Sequence, residues 1–459
     1  MRTSLLTLAL LSAISAPGLA APQQSDHDRI ANLEAQLIAL QAEIKMMKAG
    51  TPVPVAAAPE TSATDDIDSL AADAPNPMPQ AADSSMGVAA SDLASGSGSS
   101  SGSSPNAFNP AISIILNGSY SHHSLDSDSY ARASFPVVGE GGPGPNGFSL
   151  GESELALSAS IDDKFYGQVT LAIGSDDGAD EVGIEEAFID TTSLPGGLSV
   201  RAGRFFSNLG YLNSHHTHTD NFFDRPLAYQ AFLGGQYDDD GVQLRWLAPT
   251  SMFVEVGGEV FRGQSFPSAG SQNGGLGTRT LFAHTGGNVG TNNEWLAGVS
   301  TLRTKAAGAE DGFSGDVRLY VADGTWKWAP QGNFKDGGIT LRGEYMLDNR
   351  DGIYIDPTDP LNSALWSGQR RGGYLESVYR LNRTWDVGYR YDRLWSDSDL
   401  PLATGFDPYR HSAEVTWRNS EFSLFRLQVG RDRPNAADSD NVITLQYQTS
   451  LGAHGAHKF

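Results

Sequence analysis

The chain has no cysteine, and it also has no long apolar run. Without cysteine there are neither disulfides nor thiolate metal sites. A membrane-spanning helix needs about 20 consecutive, mainly apolar residues, and no stretch of this sequence reaches that length. If the protein enters a membrane, we therefore expect it to do so with β-strands.

Basic residues are also scarce. The 459 residues include 31 Lys and Arg against 54 Asp and Glu, which gives a formal net charge of −23. Phosphate contacts need a basic face, so this balance argues against nucleic acid as a partner. The sequence has no phosphate-binding glycine loop and no His-Glu-x-x-His helix. We do not expect an enzyme.

Residues 1–20 have the pattern of a secretory signal peptide. Arg2 forms the positive region, Leu5–Ile14 the short apolar stretch, and Gly18–Ala20 a cleavage site of small residues. We expect cleavage after Ala20. The mature chain is then predicted to begin outside the cytoplasm.

Residues 21–49 predict a coiled-coil helix, and residues 50–106 predict a disordered linker. The helix has apolar side chains at spacings of three and four. They are Ile30, Leu33, Leu37, Leu40, Ile44 and Met47. A single amphipathic helix is the alternative, although its apolar stripe would usually be wider. The linker is rich in Ala, Pro, Ser, Gly and Asp, and it cannot bury enough apolar surface to fold.

Residues 107–459 contain short runs in which apolar and polar residues alternate, as they do in β-strands. In 339–347, for example, the apolar side chains share one face while Arg342 and Glu344 lie on the other. We count sixteen such runs, near 111–120, 148–161, 164–174, 182–192, 197–206, 241–248, 252–262, 279–287, 293–303, 315–329, 337–347, 372–381, 384–395, 408–418, 421–431 and 441–459. The links between them alternate between short and long.

Such a pattern predicts an all-β fold, a transmembrane antiparallel up-and-down β-barrel of about 16 strands, preceded by the short α-helical coiled coil. A β-sandwich or a propeller is the alternative, but neither requires links of alternating length. The predicted location is the outer membrane of a Gram-negative bacterium, with the N-terminal region in the periplasm. The terminal Phe459 resembles the signal by which such barrels are recognised for assembly. We predict that lipid surrounds the barrel. We also predict a homo-oligomer, with a trimer as the first candidate, that forms through the barrel and the coiled coil.

The polar strand face would line a water-filled lumen. Charges of both signs facing each other across water create a transverse field at a constriction, and this field favours small polar solutes. Alternatively, the charges only pair with one another and brace the wall. The predicted lumen and constriction residues are Arg245, Glu255, Arg318, Arg342, Glu344, Arg390, Glu414, Arg418 and Arg426.

The longest predicted link of the barrel, 207–240, is the candidate constriction segment. Its position is similar to that of the loop that folds inward in porins. In an extended chain His216, His218 and Asp220 would lie on one side, and imidazole and carboxylate groups suit Zn²⁺. The candidate metal ligands are His215, His216, His218 and Asp220, with Asp238, Asp239 and Asp240 as further acids in the same link. A hydrogen-bonded polar loop without metal is the alternative.

Four stretches, 201–208, 215–230, 241–249 and 450–459, resemble a group of proteobacterial outer-membrane proteins associated with zinc limitation. Members of this group are often labelled zinc-regulated proteins or TonB-dependent receptors, so the resemblance implies a metal-related role. The chain departs from TonB-dependent receptors because only a helix and a linker precede the barrel, which leaves no region for a folded plug. A coiled coil before a sixteen-strand barrel resembles instead the layout of phosphate-selective and sugar-selective porins.

The sequence thus predicts an outer-membrane channel for passive diffusion or uptake of small solutes or ions, with divalent metal, zinc above all, or its complexes as a candidate solute. The alternative is a non-conducting metal-binding receptor or a surface adhesin, in which the 207–240 link closes the lumen.

Overall fold

A computed structural model describes residues 110–139, 141–176, 179–268, 275–308, 311–355, 363–397 and 405–452. The predicted signal peptide, coiled coil and linker, and also Phe459, lie outside the described residues. The strands are β1 (Ala111–His123), β2 (Gly147–Ser149), β3 (Ser153–Ser160), β4 (Phe165–Asp176), β5 (Ala179–Thr191), β6 (Leu198–Phe206), β7 (Asp238–Leu247), β8 (Phe253–Phe261), β9 (Thr278–Val289), β10 (Asn293–Ala307), β11 (Phe313–Trp328), β12 (Gly338–Ile355), β13 (Ser363–Arg380), β14 (Trp385–Ser396), β15 (Tyr409–Ser420), β16 (Ser423–Arg433) and β17 (Asp440–Gly452). One α-helix, α1, spans Leu227–Leu233.

All the strands belong to one antiparallel sheet that closes on itself. Strands that follow each other along the chain are paired, and β1 completes the ring by pairing with β17 on one side and with β2 and β3 on the other. Because β2 and β3 pair with successive parts of the same neighbour, they are two pieces of one wall strand. The wall therefore has sixteen strands, which confirms the predicted count.

The wall is apolar on its outer face and ionic on its inner face. Leu281, Leu375 and Ile443 are 63%, 62% and 51% exposed, whereas Arg390 and Glu255 are 1% and 2% exposed. Soluble proteins bury apolar side chains and expose charges, so this arrangement is the reverse of theirs. It is the arrangement expected of a barrel whose outer face contacts lipid.

Outward-facing tryptophans mark the end of the barrel that carries the short turns. Trp246, Trp326, Trp385 and Trp417 lie near those turns and are each about 40% exposed. Trp385 stacks on Trp417 with ring centroids 6.2 Å apart. Amphipathic rings of this kind concentrate at membrane interfaces. Among the described residues, no helix is long and apolar enough to cross a membrane.

Link lengths alternate less strictly than predicted because several strands extend beyond the apolar band. β12 and β13 each have 18 residues, whereas about 10 residues suffice for a tilted strand to cross a membrane. The predicted long link at 175–181 is correspondingly short, since β4 ends at Asp176 and β5 begins at Ala179.

The link between β6 and β7, residues 207–237, folds into the barrel, and we call it the inward segment. Helix α1 within it is buried along its whole length and ends at Gly234, which adopts a left-handed conformation with φ 68°. Glycine adopts such angles without a steric penalty. Leu209, Tyr229 and Phe232 of the segment form one buried apolar cluster with Leu319 and Val321 of β11.

Candidate functional site

The inward segment contacts the wall on opposite sides of the lumen. Asn208 Nδ2 donates to Glu255 Oε1 of β8 at 3.2 Å. Farther along, Asn221 Nδ2 donates to Glu376 Oε1 of β13 at 2.8 Å, and the Leu227 amide donates to Asp392 Oδ1 of β14 at 3.1 Å. The segment therefore crosses the lumen.

The two sides of the lumen differ in charge. On β3, β5 and β8 the inward residues include many carboxylates, and we call this the carboxylate side. On β12 to β16 arginines are frequent and are interleaved with acids, and we call this the arginine side. The carboxylate side includes Glu154, Glu185, Glu186, Glu255 and Glu259, and the arginine side includes Arg342, Arg390, Arg410 and Arg426, all buried.

Two histidines of the inward segment meet the carboxylate side. His218 Nδ1 lies 2.6 Å from Glu154 Oε1, and His216 Nδ1 lies 3.2 Å from Glu154 Oε2. The ligand atoms that Glu154, His216 and His218 offer all lie within 4.8 Å of one another. These three residues form the candidate metal centre among the described residues.

A β-bulge in β5 brings two adjacent glutamates to the same centre. Thr170 of β4 pairs with Glu186, and the next residue, Leu171, pairs with Ile184, so Glu185 is the extra residue. Successive residues in a regular strand point to opposite faces, but a bulge places two residues against one partner and locally reorients the strand. As a result His216 Nδ1 lies 3.2 Å from Glu185, and its Nε2 lies 3.2 Å from Glu186.

A further carboxylate comes from the interruption between β2 and β3. Thr217 Oγ1 donates to Glu152 Oε2 at 2.6 Å. Gly151 beside it has φ +60°, and a Cβ there would lie 3.1 Å from Asn117. The break in the strand therefore depends on glycine, and it places Glu152 next to the histidine turn.

The carboxylates control the charge of His216. Burial by itself would lower the pKa of His216, but the nearby Glu154 and Glu185 raise it well above its ordinary value. Without a metal, a protonated His216 partly neutralises the cluster. With a metal, the cation would replace that proton, because metal ligands must be deprotonated.

Two of the four predicted metal ligands are elsewhere. His215 Nδ1 donates to the Tyr211 carbonyl at 2.7 Å, and its ring stacks on Tyr211 with centroids 4.4 Å apart. Burial lowers the pKa of His215 to about 3, so this ring is neutral. Asp220 pairs with Arg225 at 3.1 Å. The prediction that His216, His218 and Asp220 lie on one side assumed an extended chain. It is wrong for Asp220, because residues 217–219 form a 3₁₀ turn.

The three acids at the end of the predicted link lie in β7 rather than in a loop. Asp239 accepts hydrogen bonds from the Gly263 and Gln264 amides at 2.6 and 2.8 Å, and Asp240 pairs with Arg204 at 3.0 Å. Asp239 and Asp240 thus brace the ends of strands, and none of the three acids belongs to the cluster of Glu154, His216 and His218.

The inward segment is tied to the arginine side through Asp224. Its carboxylate lies 3.0 Å from Arg390 Nη2 and 2.7 Å from Arg410 Nη1. Burial raises the pKa of Asp224, but the charges of Arg410 and Arg390 outweigh this effect and hold the pKa at about 2. Arg426 Nη2 adds a bond of 2.6 Å to the Asp220 carbonyl.

Eight of the nine predicted lumen residues face inward. They are Arg245, Glu255, Arg342, Glu344, Arg390, Glu414, Arg418 and Arg426, each buried or half-buried. Most pair with a neighbour, for example Arg342 with Glu376 at 3.1 Å. These pairs brace the wall, and the same side chains line its inner face.

Arg318 is the exception, because it is exposed on the outer face. Its neighbours Val317 and Leu319 are each 1% exposed and face inward. The period-two pattern was interpreted with the wrong polarity at this strand. Leu319 points toward apolar residues of the inward segment, Leu209 and Tyr229 among them, whereas Val317 packs in a second apolar cluster, with Phe313, Tyr354 and Trp366 of the wall.

The cluster has the chemistry of a zinc-type site. Two imidazoles and one carboxylate are three protein ligands, the number found in open zinc sites. Tetrahedral bonds of about 2.1 Å need ligand atoms about 3.4 Å apart, so shifts of about an ångström would suffice. If His216 binds through Nδ1, Glu186 at Nε2 would hold the ring from behind, as carboxylates commonly do for metal-bound histidines, and Glu185 beside Nδ1 would add negative charge at the metal.

Comparison with known proteins shows the fold. No family profile matches the chain. An uncharacterized protein of Aquifex aeolicus (strain VF5) is 29% identical over 400 residues, which are 78% of this chain and 81% of that protein. The outer membrane channel DcaP of Acinetobacter baumannii matches with a TM-score of 0.51 and 12% identity, over 74% of this chain and 97% of that one. The anion-selective porin from Comamonas acidovorans matches with a TM-score of 0.50 and 11% identity, over 74% and 99%.

The chain therefore has a porin-like closed barrel of sixteen strands. The resemblance to proteins associated with zinc limitation stays a prediction.

Proposed function

We propose that this protein is an outer-membrane channel for passive diffusion of small polar solutes. The observation that carries the proposal is the closed wall, which is apolar outside and ionic inside and is crossed by a segment that narrows the lumen. The porin-like fold agrees with it. The predicted trimer, with its N-terminal region in the periplasm, belongs to the same proposal.

The charges on the two sides of the lumen support a preference for small polar solutes. Carboxylates of β3, β5 and β8 face arginines of β12 to β16, with the inward segment between them. The electric field between these two sides runs across the lumen, where it orders water and disfavours large apolar molecules. Solutes are expected to pass beside the inward segment rather than through it.

Single-channel recording in planar bilayers tests the proposal. The full-length folded protein should give discrete conductance steps. A variant in which residues 211–225 are replaced by a short Gly-Ser linker should give larger steps, because its constriction is shorter. A folded protein that passes no ions would end the channel hypothesis.

We further propose that divalent metal, with zinc as the first candidate, binds at Glu154, His216 and His218. Calorimetric titration of the full-length protein with ZnCl₂ is the measurement. Replacing both histidines by Ala should weaken binding on the order of 100-fold or more. His215→Ala is the matched control, since this neighbouring ring faces Tyr211. Equal affinities in the double variant and the control would refute the site.

A non-conducting metal-binding receptor is the second candidate. It is favoured by the packing of the inward segment, where Tyr229 and Phe232 are 0% and 1% exposed. Such close packing of apolar side chains leaves less room for water than the constriction of an open channel does. Zinc binding by a folded protein without conductance would favour the receptor, whereas conductance would favour the channel.

A further inference from the structure

Three arginines form a row across the outer face of the barrel. Arg303 of β10 pairs in register with Arg279 of β9 on one side and with Arg318 of β11 on the other. All three side chains are exposed. Since strands lie about 4.8 Å apart, the three guanidinium groups extend across roughly 10 Å.

Within the described part of the chain, no carboxylate forms an ion pair with any of these arginines. Asp316, two residues before Arg318 on the same strand, pairs instead with Lys305 at 3.9 Å. Like charges directly opposite each other on neighbouring strands destabilise a sheet. The barrel thus carries an unfavourable arrangement that an external anion would relieve.

The row lies at the edge of the apolar band. Two residues closer to the middle of the same strands, the outer face carries Leu281, Thr301 and Tyr320. Thr301 pairs in register with Leu281 on one side and with Tyr320 on the other. Leu281 is 63% and Tyr320 37% exposed. Arg279 and Arg303 are close to the 262–277 and 308–312 links, on the end of the barrel opposite the tryptophan-bearing short turns.

We propose that Arg279, Arg303 and Arg318 dock the phosphate groups of a phosphorylated glycolipid, the lipid A of the outer leaflet. The inference rests on the proposed location, which places this end of the barrel at the outer surface. The planar guanidinium group of arginine binds phosphate oxygens bidentately. Arginines therefore suit a headgroup with two phosphates better than lysines, whose ammonium groups act as point charges. The acyl chains would then lie against Leu281 and the apolar wall below it.

Binding of lipid A to the full-length protein in non-ionic detergent tests the row. The wild type should bind bisphosphorylated lipid A at least about tenfold more tightly than dephosphorylated lipid A, because removing the phosphates removes several charge-assisted hydrogen bonds. The variant with Arg279→Gln, Arg303→Gln and Arg318→Gln should lose this discrimination. A control with Lys164→Gln, Lys335→Gln and Arg431→Gln removes the same charge from other exposed positions and should keep it.

Thermal unfolding adds a readout that a general charge effect would not give. Without lipid, the row variant should unfold at a higher temperature than the wild type, because repulsion is relieved. With bisphosphorylated lipid A, the order should reverse. Equal lipid binding by the two triple variants, or equal stabilisation by inorganic phosphate and lipid A, would overturn the inference.

Conductance of the same preparations distinguishes failure of the channel hypothesis from failure of the lipid-docking hypothesis. Conducting protein with no lipid discrimination would refute the arginine row alone. Discrimination in a protein that does not conduct would refute the channel alone.

Discussion

The carboxylate side and the arginine side of the lumen hold the same inward segment by opposite means. On the first, wall carboxylates receive the segment's histidines, His216 and His218. On the second, wall arginines receive the segment's carboxylate, Asp224. The arginine side satisfies its own charges with interleaved acids, such as Asp392 beside Arg390 at 2.9 Å. The carboxylate side has fewer internal cations and depends on what the segment brings.

This difference distinguishes the Asp224 contacts, which only hold the inward segment, from the histidine cluster, which could also bind a ligand. Asp224 completes an ion-pair network in which each arginine already has a partner. The histidine cluster instead concentrates Glu154, Glu185 and Glu186 around rings that can exchange a proton for a metal. We therefore expect loss of the arginine-side tie to affect stability, and loss of the carboxylate-side tie to affect ligand binding.

The largest expected effect comes from Asp224→Asn. The substitution keeps the side-chain shape but leaves the buried Arg390 and Arg410 without this carboxylate, which should lower the free energy of unfolding by about 3 kcal/mol. Urea unfolding in detergent, followed by tryptophan fluorescence, measures it. Asp128→Asn, at an exposed position, should change stability by less than about 0.5 kcal/mol. Comparable losses in the two variants would contradict the tie.

The same tie predicts a pH dependence. The pKa of Asp224 is about 2 in the folded protein, below the value of about 3.9 for an unfolded chain. A lowered pKa stabilises the fold fully above about pH 4 and is lost as pH falls through 2. The stability difference between wild type and Asp224→Asn should therefore be constant from pH 7 to about 5 and shrink toward pH 2. A constant difference over the whole range would show that the charge of Asp224 is not the cause.

Glu154→Gln tests the carboxylate side directly. The amide removes the charge and one anionic ligand from the centre of the cluster, so zinc affinity should fall on the order of 100-fold. Glu376→Gln removes a buried carboxylate from the arginine side instead, and zinc affinity should stay within about twofold. Equal losses would mean that zinc responds only to total lumen charge.

Deletion of Glu185 isolates the bulge. Without this extra residue, Glu186 would still face inward and Ile184 outward, so the alternation of β5 would become regular. Folded yield should be retained, while zinc affinity should fall roughly tenfold because His216 loses one supporting carboxylate. Unchanged affinity would show that the bulge serves the strand and not the cluster.

The sequence was sufficient for most of the wall because its strands alternate between an apolar outer face and an ionic inner face. This alternation predicted sixteen strands and the inward direction of residues such as Arg390 and Glu255. It failed at Arg318 because apolar side chains of the inward segment and of neighbouring wall residues, and not water, face β11 there. Polarity along one strand cannot reveal what another part of the chain places against it.

The histidine cluster was predicted only in part for a similar reason. The tract indicated His216 and His218, but the third ligand, Glu154, lies 64 residues before His218 and was not among the predicted ligands. A weak signal for the bulge did exist, since adjacent Glu185 and Glu186 interrupt the alternation of β5. Bringing these residues together required the path of the inward segment, which short-range patterns do not encode.

The smallest expected effect concerns ion selectivity. If ions pass between the two sides, a charge about 8 Å from the path changes ion energy by about 0.5 kcal/mol in water, or roughly twofold in permeability. Glu255→Gln on the carboxylate side should thus lower the ratio of cation to anion permeability, and Arg426→Gln on the arginine side should raise it. Reversal potentials under a KCl gradient measure both, and Arg318→Gln should leave the ratio unchanged because that residue faces outward. Shifts of the same sign in the two inward variants would mean that ions do not pass between the sides, and the opposed charges would then serve only to hold the inward segment in place.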